Sequence, residues 1–555
     1  MKRYVYIVMA AAAMLFVGCE SEPAEVLQAE PDYATINLSS TSIVVSEEGA
    51  VKTIFAATNR NELKVLEESE WLDVSIEGNA LTLYVDANDG ESLREAVVDV
   101  VAGTQPDVAK ARMRIVQSCQ GVVNLSEEGT ANCYIVPTES ACYFDASVKG
   151  NGNERGDGRS RYISTYGVNI EGAAYADLAW EATYDGDKTR STKIIAGKPI
   201  YDAEGERILL STGECEGNAL VSLHNAEGEI LWSWHIWVMN DTPTTSVSVY
   251  GEDSTLEWMD RNLGALNNRI GDISNRGMLY QWGRKEPFLP SPVENVYVPR
   301  HKYDIEGNLL ETEEEYYEIQ EQIFAAREVV NHNNTQVGNG YAAWRFAGEV
   351  PPVALQAPGN IDYALQHPTT VLGCRVDIPI GEYVFDWYLQ QDLEGVDGFL
   401  QQSCSHLWGD SRLTDDYKTI FDPCPVGYVV PPTGAFAEIP TNYACTIFGR
   451  GEWKVEDYGW RWNSAAGGNG DYFPSSGNLD VSGLIGETSE KPLYWTSESF
   501  GADYQGFGKA AMLFEAYGDI YYGIYPILDP SEAAAWYSYG AKCMAASVRC
   551  VKEQK

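Results

Sequence analysis

Basic residues are scarce in this chain of 555: 39 Lys and Arg stand against 81 Asp and Glu, a formal charge of −42 with histidine neutral. So little positive charge leaves no field to neutralise phosphates, which excludes a nucleic-acid binder and docking on anionic lipid through a basic face. Histidine is scarcer still at 6, the six are scattered, and no CxxC occurs, so zinc-ligand spacing is absent. HExxH, GxSxG and the P-loop are missing as well, which removes the enzyme signatures that can be read by eye. Past the first twenty residues no apolar run approaches the roughly eighteen that a spanning helix needs. What the chain does have is 44% hydrophobic residues, 15 Trp, 34 Tyr and 51 Gly. That richness excludes disorder as the main state and leans toward β-structure. At roughly 150 residues per domain, the length fits three to four folded units.

Lys2 and Arg3 precede an apolar run from Tyr4 to Val17. As a helix that run spans about 21 Å, short of the roughly 30 Å hydrocarbon core, so it reads as an export signal over residues 1–18 and not as a span. It ends Phe16-Val17-Gly18-Cys19, which resembles a bacterial lipoprotein lipobox with Phe16 where Leu is usual. The resemblance implies that Cys19 becomes the acylated first residue, a lipid anchor and the protein's sole attachment to the membrane. Glu20-Ser21-Glu22-Pro23-Ala24-Glu25 follows, acidic and without apolar periodicity, so 19–32 reads as a solvated tether. The same tract resembles the acidic export signal of Bacteroidota lipoproteins, which implies the outer membrane, facing the cell exterior.

From Ala34 to Ser118 the chain alternates short β-branched runs with turns. Ile36-Asn37-Leu38, Ser42–Ser46, Val51–Ala57, Leu63–Leu66, Leu81–Val85, Ala96–Val101 and Met113–Val116 are the strands, with Gly49, Gly78-Asn79 and Gly90 between them. Seven strands in so short a stretch predict an immunoglobulin-like sandwich. Glu70-Trp71-Leu72, Leu81–Val85 with Asn88, Arg94 and the closing Ile115-Val116-Gln117 resemble the BACON domain of Bacteroidota surface proteins over most of 33–118. That family's name suggests carbohydrate binding, but Trp71 beside Leu72 reads as core, which favours a spacer. Gln105-Pro106-Asp107 reads as a loop of the same sandwich.

The second unit, 121–240, is predicted to be another β-rich, sandwich-like body. Asn132–Val136 and Tyr143–Val148 read as paired strands, which lets Cys133 and Cys142 staple a hairpin. Asp202-Ala203-Glu204-Gly205-Glu206 and Asn225-Ala226-Glu227-Gly228-Glu229 repeat one hairpin-loop chemistry, Asx first and Gly placed for positive φ. Trp232-Ser233-Trp234-His235-Ile236-Trp237 is apolar on both faces and reads as a central strand, with His235 a satisfied core histidine. Arg155-Gly156-Asp157 lies in a Gly/Asn-rich loop as a weak integrin-type motif. The polar stretch 241–251 reads as a linker, and Asp253-Ser254-Thr255 resembles a Bacteroidota O-glycosylation acceptor.

The third unit, 252–555, carries five ordered blocks: Trp258–Ala265, Leu279–Arg284, Asp422–Pro431, Tyr494–Glu498 and Ser547–Val551. In this order they resemble the Fibrobacter succinogenes major paralogous domain, with Val429 where the family has a basic residue. The resemblance implies a compact α+β fold related to C-type lectins, so the whole chain is expected to be mainly β and multidomain. Cys424 and Cys550 lie in two blocks that bracket the domain and are the first pair expected to form a disulfide. An insertion at about 290–417 separates the blocks, with Cys374 and Cys404 as a second candidate pair. In it Thr312 and Glu315 suggest a capping box, and Tyr316, Ile319, Ile323, Ala326 and Val330 a helix face.

No cofactor and no metal is expected. Tyr517, Tyr521, Tyr522, Tyr525, Trp536 and Tyr537 cluster around Gly and Pro where a lectin-like fold would place a ligand-facing loop. Exposed, such rings stack on the apolar faces of sugars; buried, they line a core. The expected function is a non-catalytic surface lipoprotein that binds a glycan or a surface protein ligand. A fimbria-like structural component and a polysaccharide hydrolase are the alternatives.

Overall fold

In the computed structural model the described residues run from 33 to 554, leaving out 155–161, 185–192, 248–255, 348–358, 388–406, 410–417, 433–446, 463–471, 479–492, 500–509, 518–533 and shorter stretches. The chain is mainly β and multidomain. Its first sandwich is built from β1 Ile36–Leu38, β2 Ser42–Val45, β3 Ala50–Thr58, β4 Leu63–Leu66, β5 Leu72–Glu77, β6 Ala80–Val85, β7 Arg94–Thr104 and β8 Asp107–Gln117. They form two four-stranded sheets, β1-β3-β6-β5 and β2-β8-β7-β4. Period-two alternation buries Ile54, Leu81, Leu83, Val98, Met113 and Ile115 between the sheets. β5 is an eighth strand that the sequence reading missed; it pairs with β6 along its whole length.

Gly49 turns the chain into β3 with φ +83, and a Cβ there would strike the Val85 carbonyl oxygen. Gln105 and Pro106 form the turn between β7 and β8. Asp107 accepts the Ala34 amide at 2.9 Å and pairs with Arg60 at 2.5 Å, tying the first described residues to the sandwich. Trp71 packs against the core and is covered by the Arg94 guanidinium, 4.5 Å from its ring centroid. Arg94 itself is fixed by Gln117 Oε1 at 2.7 Å and by the carbonyls of Asp86 and Ala87.

The second unit comprises β9 Val123–Asn124, β10 Cys133–Val136, β11 Ala141–Asp145, α1 Tyr162–Tyr166, β12 Ala173–Tyr184, β13 Ile200–Asp202, β14 Arg207–Ser211, β15 Gly217–Asn225 and β16 Ile230–Val238. It is a second sandwich of sheets β13-β14-β11-β9 and β10-β16-β15-β12. The expected β10–β11 hairpin does not exist: β10 pairs in parallel with β16 while β11 pairs with β14 in the other sheet. Cys133 in β10 and Cys142 in β11 belong to different sheets, and both are free, buried thiols. Both Asx-started loops do close hairpins, β13–β14 and β15–β16. Gly228 takes φ +91 as expected, but in the first loop Glu206, not Gly205, takes the positive φ, at 48°. β16 lies inside its sheet between β10 and β15, with Trp232, Trp234 and Trp237 fully buried.

The two sandwiches meet through Val44, Leu93 and Val116 against Tyr143, Ile200 and Leu209. Arg114 donates across the junction to the carbonyls of Lys198 at 2.9 Å and Pro199 at 3.2 Å. Lys52 pairs with Glu204 at 2.7 Å.

The third unit begins inside the stretch read as a linker, since β17 Thr245–Val247 pairs with β18 Glu257–Met259. β18 pairs with Val551–Lys552, which pairs with Tyr428–Val429, so the two ends of the unit share one sheet. Cys424 and Cys550 are disulfide-bonded beside it. β19 Leu279–Gln281 edges a six-stranded sheet with Ala545–Ser547, Leu493–Ser499, Ala510–Tyr517, Ala534–Ala541 and Ile447–Phe448. One hydrophobic cluster runs from Cys133 and the β16 tryptophans through Leu263, Tyr280 and Trp282 to Trp495 and Cys550, so the second and third units share a core.

The insertion corrects the helix expected from Thr312 onward. β20 Val296–Tyr303 and β21 Leu309–Tyr317 form an antiparallel hairpin, and β22 Phe324–Ala326 adds to the edge of β12. The register sets Arg300 opposite Glu313 and Lys302 opposite Glu311, and half of β20 is aromatic or β-branched. Pairing with a strand upstream overrides the 3-4 spacing, because a short helical pattern has little stability of its own. A helix does occur in the insertion, α2 Gly359–Gln366. It docks on the second unit: Gln366 bonds the N–H and C=O of Ile230 at 2.8 and 2.7 Å, and the Tyr166 hydroxyl donates to Asp362 at 2.5 Å.

Candidate ligand-binding surface

Of the aromatic residues singled out near the C-terminus, Tyr517 ends the strand Ala510–Tyr517, and Trp536 and Tyr537 lie in Ala534–Ala541. These strands pair antiparallel, with Tyr517 opposite Ala534, Trp536 opposite Glu515 and Tyr537 opposite Phe514. Three of the six therefore belong to a regular ladder and not to a long loop. Tyr521, Tyr522 and Tyr525 lie outside the described residues, as do Cys19, Cys374, Cys404, Arg155-Gly156-Asp157 and Asp253-Ser254-Thr255.

The ionisable groups of the shared core are committed to one another. Lys285 donates to the Ser233 carbonyl at 2.9 Å and to Glu286 Oε1 at 2.6 Å, beneath the Trp232 ring. Arg284 reaches Glu286 Oε2 at 3.3 Å and Gln281 Oε1 at 3.0 Å. Burial opposes the ionised form of Glu286, but Lys285 and Arg284 outweigh it and hold the carboxyl below its ordinary range. This Arg-Lys-Glu run sits in the block Leu279–Arg284 and just beyond it, and it joins the third unit to β16.

His235 lies beside the run: Asn218 Oδ1 accepts from its Nε2 at 2.8 Å, and Tyr280 donates to Nδ1 at 3.1 Å. Burial lowers its pKa to about 3, so it is neutral and satisfied in the core, as its sequence context implied. Burial also draws Lys149 down to about 8, but the carbonyls of Tyr166, Gly167 and Asn169 hold its ammonium at 3.2, 2.9 and 3.2 Å. It acts as a strut between loops. Lys418 similarly bonds Asp422 at 2.9 Å, whose other oxygen takes the Val430 amide. Among the described residues, no group of three His, Cys, Asp or Glu side chains is placed to hold a metal ion, and no helix is long and apolar enough to cross a membrane.

The outward face of the β1-β3-β6-β5 sheet is different in kind. Across β3, β6 and β5 the register lines up Val51, Tyr84 and Asp73 in one row. Thr53, Thr82 and Ser75 form the next row, and the two threonine hydroxyls are 3.2 Å apart. Phe55, Ala80 and Glu77 form the third. Val51, Phe55 and Tyr84 are 63%, 60% and 47% exposed, large values for apolar side chains on one small sheet. No basic residue occupies these nine positions.

The outer face of the opposite sheet mixes ion pairs with the exposed apolar side chains of Leu66 and Val97. Glu95 pairs with Arg114 at 2.7 Å, and Asp99 with Arg112 at 2.8 Å and Lys110 at 2.6 Å. Hydrogen bonds from Arg112 and Lys110 lower the Asp99 pKa to about 2. Sequence reasoning placed β3 and β6 as strands but did not pick out Phe55 or Tyr84. The available signal was apolar residues at both parities of β3, Val51 and Phe55 outward as well as Ile54 and Ala56 inward.

No protein-family model matches the chain, and no curated protein matches it. Solved structures do align. A Bacteroides thetaiotaomicron protein solved by NMR is 23% identical and is covered over 99% of its own length by 19% of this chain, with a TM-score of 0.13. A titin immunoglobulin tandem is 13% identical over 37% of this chain and 96% of its own, also at 0.13. The YadV chaperone is 11% identical over 36% of this chain and 98% of its own, at a TM-score of 0.16.

Proposed function

We propose that this protein is a non-catalytic lipoprotein of a bacterial outer surface, anchored through Cys19, that binds a glycan or a protein ligand. The observation that carries the reading is the outward face of the first sandwich, where exposed apolar side chains lie in rows that hold no basic residue. Val51, Phe55 and Tyr84 are exposed together on one sheet. An apolar patch rimmed by polar residues is the ordinary signature of a contact surface. The non-catalytic part of the reading is supported by where the charged groups are spent. Arg284, Lys285, Glu286, Lys418 and Asp422 are buried and bonded within the fold, so they are occupied with packing and not with a substrate. The lipid anchor is supported by the order of Lys2, Arg3, the apolar run and Cys19.

Treating intact cells with proteinase K tests the location, with the Cys19→Ala variant beside it. We expect degradation of the wild-type protein from outside and loss of acylation in the variant. Survival under protease would turn the protein toward the periplasm and remove the surface-binding reading. A stoichiometric partner protein recovered with it from outer membrane would instead make the protein a structural component of an assembly.

A further inference from the structure

We infer that the third unit holds a small inorganic anion, of the size of chloride, between Arg549, Ser475 and Ser547. The inference is independent of the ligand-binding reading above and concerns a different part of the molecule. Its first argument is charge. Arg549 is 3% exposed, and its guanidinium is held by neutral groups. Nη1 donates to the Tyr472 carbonyl at 2.7 Å, Nη2 donates to the Asp260 carbonyl at 2.6 Å, and the Phe473 ring centroid lies 4.4 Å from Cζ. Among the described residues no carboxylate pairs with it, and its Nε–H has no acceptor. Other buried cations are built differently. Arg261 meets Asp260 and Asp241, Arg284 and Lys285 meet Glu286, and Lys418 meets Asp422. Lys149 spreads its ammonium over three carbonyls. An arginine does not shed its proton, so a buried guanidinium without a counter-charge calls for one from outside the chain.

The second argument is the donor set. Ala546, Val548 and Cys550 lie in the shared hydrophobic cluster, so alternation turns Ser547 and Arg549 to the other side. There the strand Tyr472–Pro474 passes, with Phe473 against the guanidinium and Ser475 just beyond. Tyr494 ties the two segments together: it pairs with Ser547 along the backbone, and its hydroxyl donates to the Pro474 carbonyl at 2.8 Å. Ser475 and Ser547 are 0% and 1% exposed, and neither hydroxyl has a hydrogen-bond partner. Three buried donors on neighbouring residues, the Arg549 Nε–H and two hydroxyls, are therefore unmatched, which a fold rarely tolerates. A cation is repelled by Arg549, and a water supplies an acceptor without the missing charge. A halide supplies both. Asn262 Oδ1 also lacks a partner, although Asn262 Nδ2 donates to the Tyr494 hydroxyl at 3.0 Å; it needs a donor and fits a water beside the anion.

Calorimetry of the full chain tests the assignment, comparing sodium chloride with sodium gluconate, each at about 300 mM. Matched ionic strength cancels screening, and gluconate is too large for a buried site of three donors. Chloride is expected to raise the unfolding temperature of the core shared by the second and third units by roughly 2–4 °C over gluconate. The first sandwich should unfold at the same temperature in both salts. Ser475→Ala combined with Ser547→Ala keeps the Arg549 charge and is expected to lose most of the chloride effect. Arg549→Met is expected to lose all of it, and the serine variant carries the test if Arg549→Met does not fold. Equal wild-type midpoints in the two salts would overturn the anion and leave water as the partner of these donors. A chloride effect that persists undiminished in either variant would place the ion elsewhere and overturn the site.

Discussion

His235 is enclosed by Asn218 and Tyr280, with Asn218 in turn donating to the Gly264 carbonyl at 2.9 Å. Its folded pKa of about 3 lies below the unfolded value near 6.5, so between those limits the unfolded chain binds the extra proton. Stability is therefore expected to fall as pH drops from about 6.5 toward 3, by up to about 1.4 kcal/mol per pH unit from this group. Urea midpoints of wild type and His235→Gln between pH 7 and pH 4 check this; equal slopes would contradict it. Glu286 gives a second test at the same scale. Glu286→Gln leaves Lys285 and Arg284 buried without their counter-charge and should cost roughly 3–5 kcal/mol. A loss below about 1 kcal/mol in urea denaturation would mean that the run is hydrated.

Two cysteine pairs divide what residues alone reveal. Cys424 and Cys550 could be expected to bond because they sit in two of the ordered blocks of one unit, and the strands just after them, Tyr428–Val429 and Val551–Lys552, do pair. Cys133 and Cys142 misled because their spacing fits a hairpin equally well, and a crossing between sheets leaves no mark in so short a sequence. Alkylation and peptide mapping should find Cys133 and Cys142 as thiols labelled only after unfolding, alongside a Cys424–Cys550 linked peptide. A linked Cys133–Cys142 peptide would contradict the fold of β10 and β11.

Strands were the most legible elements, because period two is dense in the first 118 residues and turn chemistry punctuates it. β16 was legible for the opposite reason, since unbroken apolarity over its length left only an interior position. β5 was missed because Asp73, Ser75 and Glu77 make it read as a polar connection, although Leu72 and Val74 keep the alternation. The helix expected from Thr312 failed because spacing within one segment says nothing of a partner strand upstream. Phe55 and Tyr84 escaped notice for a related reason: alternation identifies a strand without saying which face meets another layer. Gly49 offers the element-scale test. Its φ of +83 and the closeness of the Val85 carbonyl mean that Gly49→Ala should lower the stability of the first sandwich by about 2 kcal/mol. An unchanged urea midpoint for the first sandwich would show that the turn relaxes without strain.

For the whole molecule, the arrangement of cores matters more than the number of sequence units. The first sandwich has its own cluster, centred on Leu81, Leu83, Val98 and Ile115, and touches the second through a small apolar junction. The second and third units are packed around one cluster and cross-linked by His235–Tyr280 and Lys285–Ser233. Calorimetry should accordingly resolve two cooperative transitions, and Cys424→Ser should lower only the one belonging to the shared core. Three separate transitions would contradict the shared core.

Isothermal titration of the full chain with soluble glucan, xylan or mannan tests the claim of binding without catalysis directly. Each injection should give a heat that saturates and returns to the starting baseline, with the signal lost in the Phe55→Ala, Tyr84→Ala variant. A sustained baseline shift that persists until the polymer is consumed would reveal turnover and contradict a non-catalytic binder.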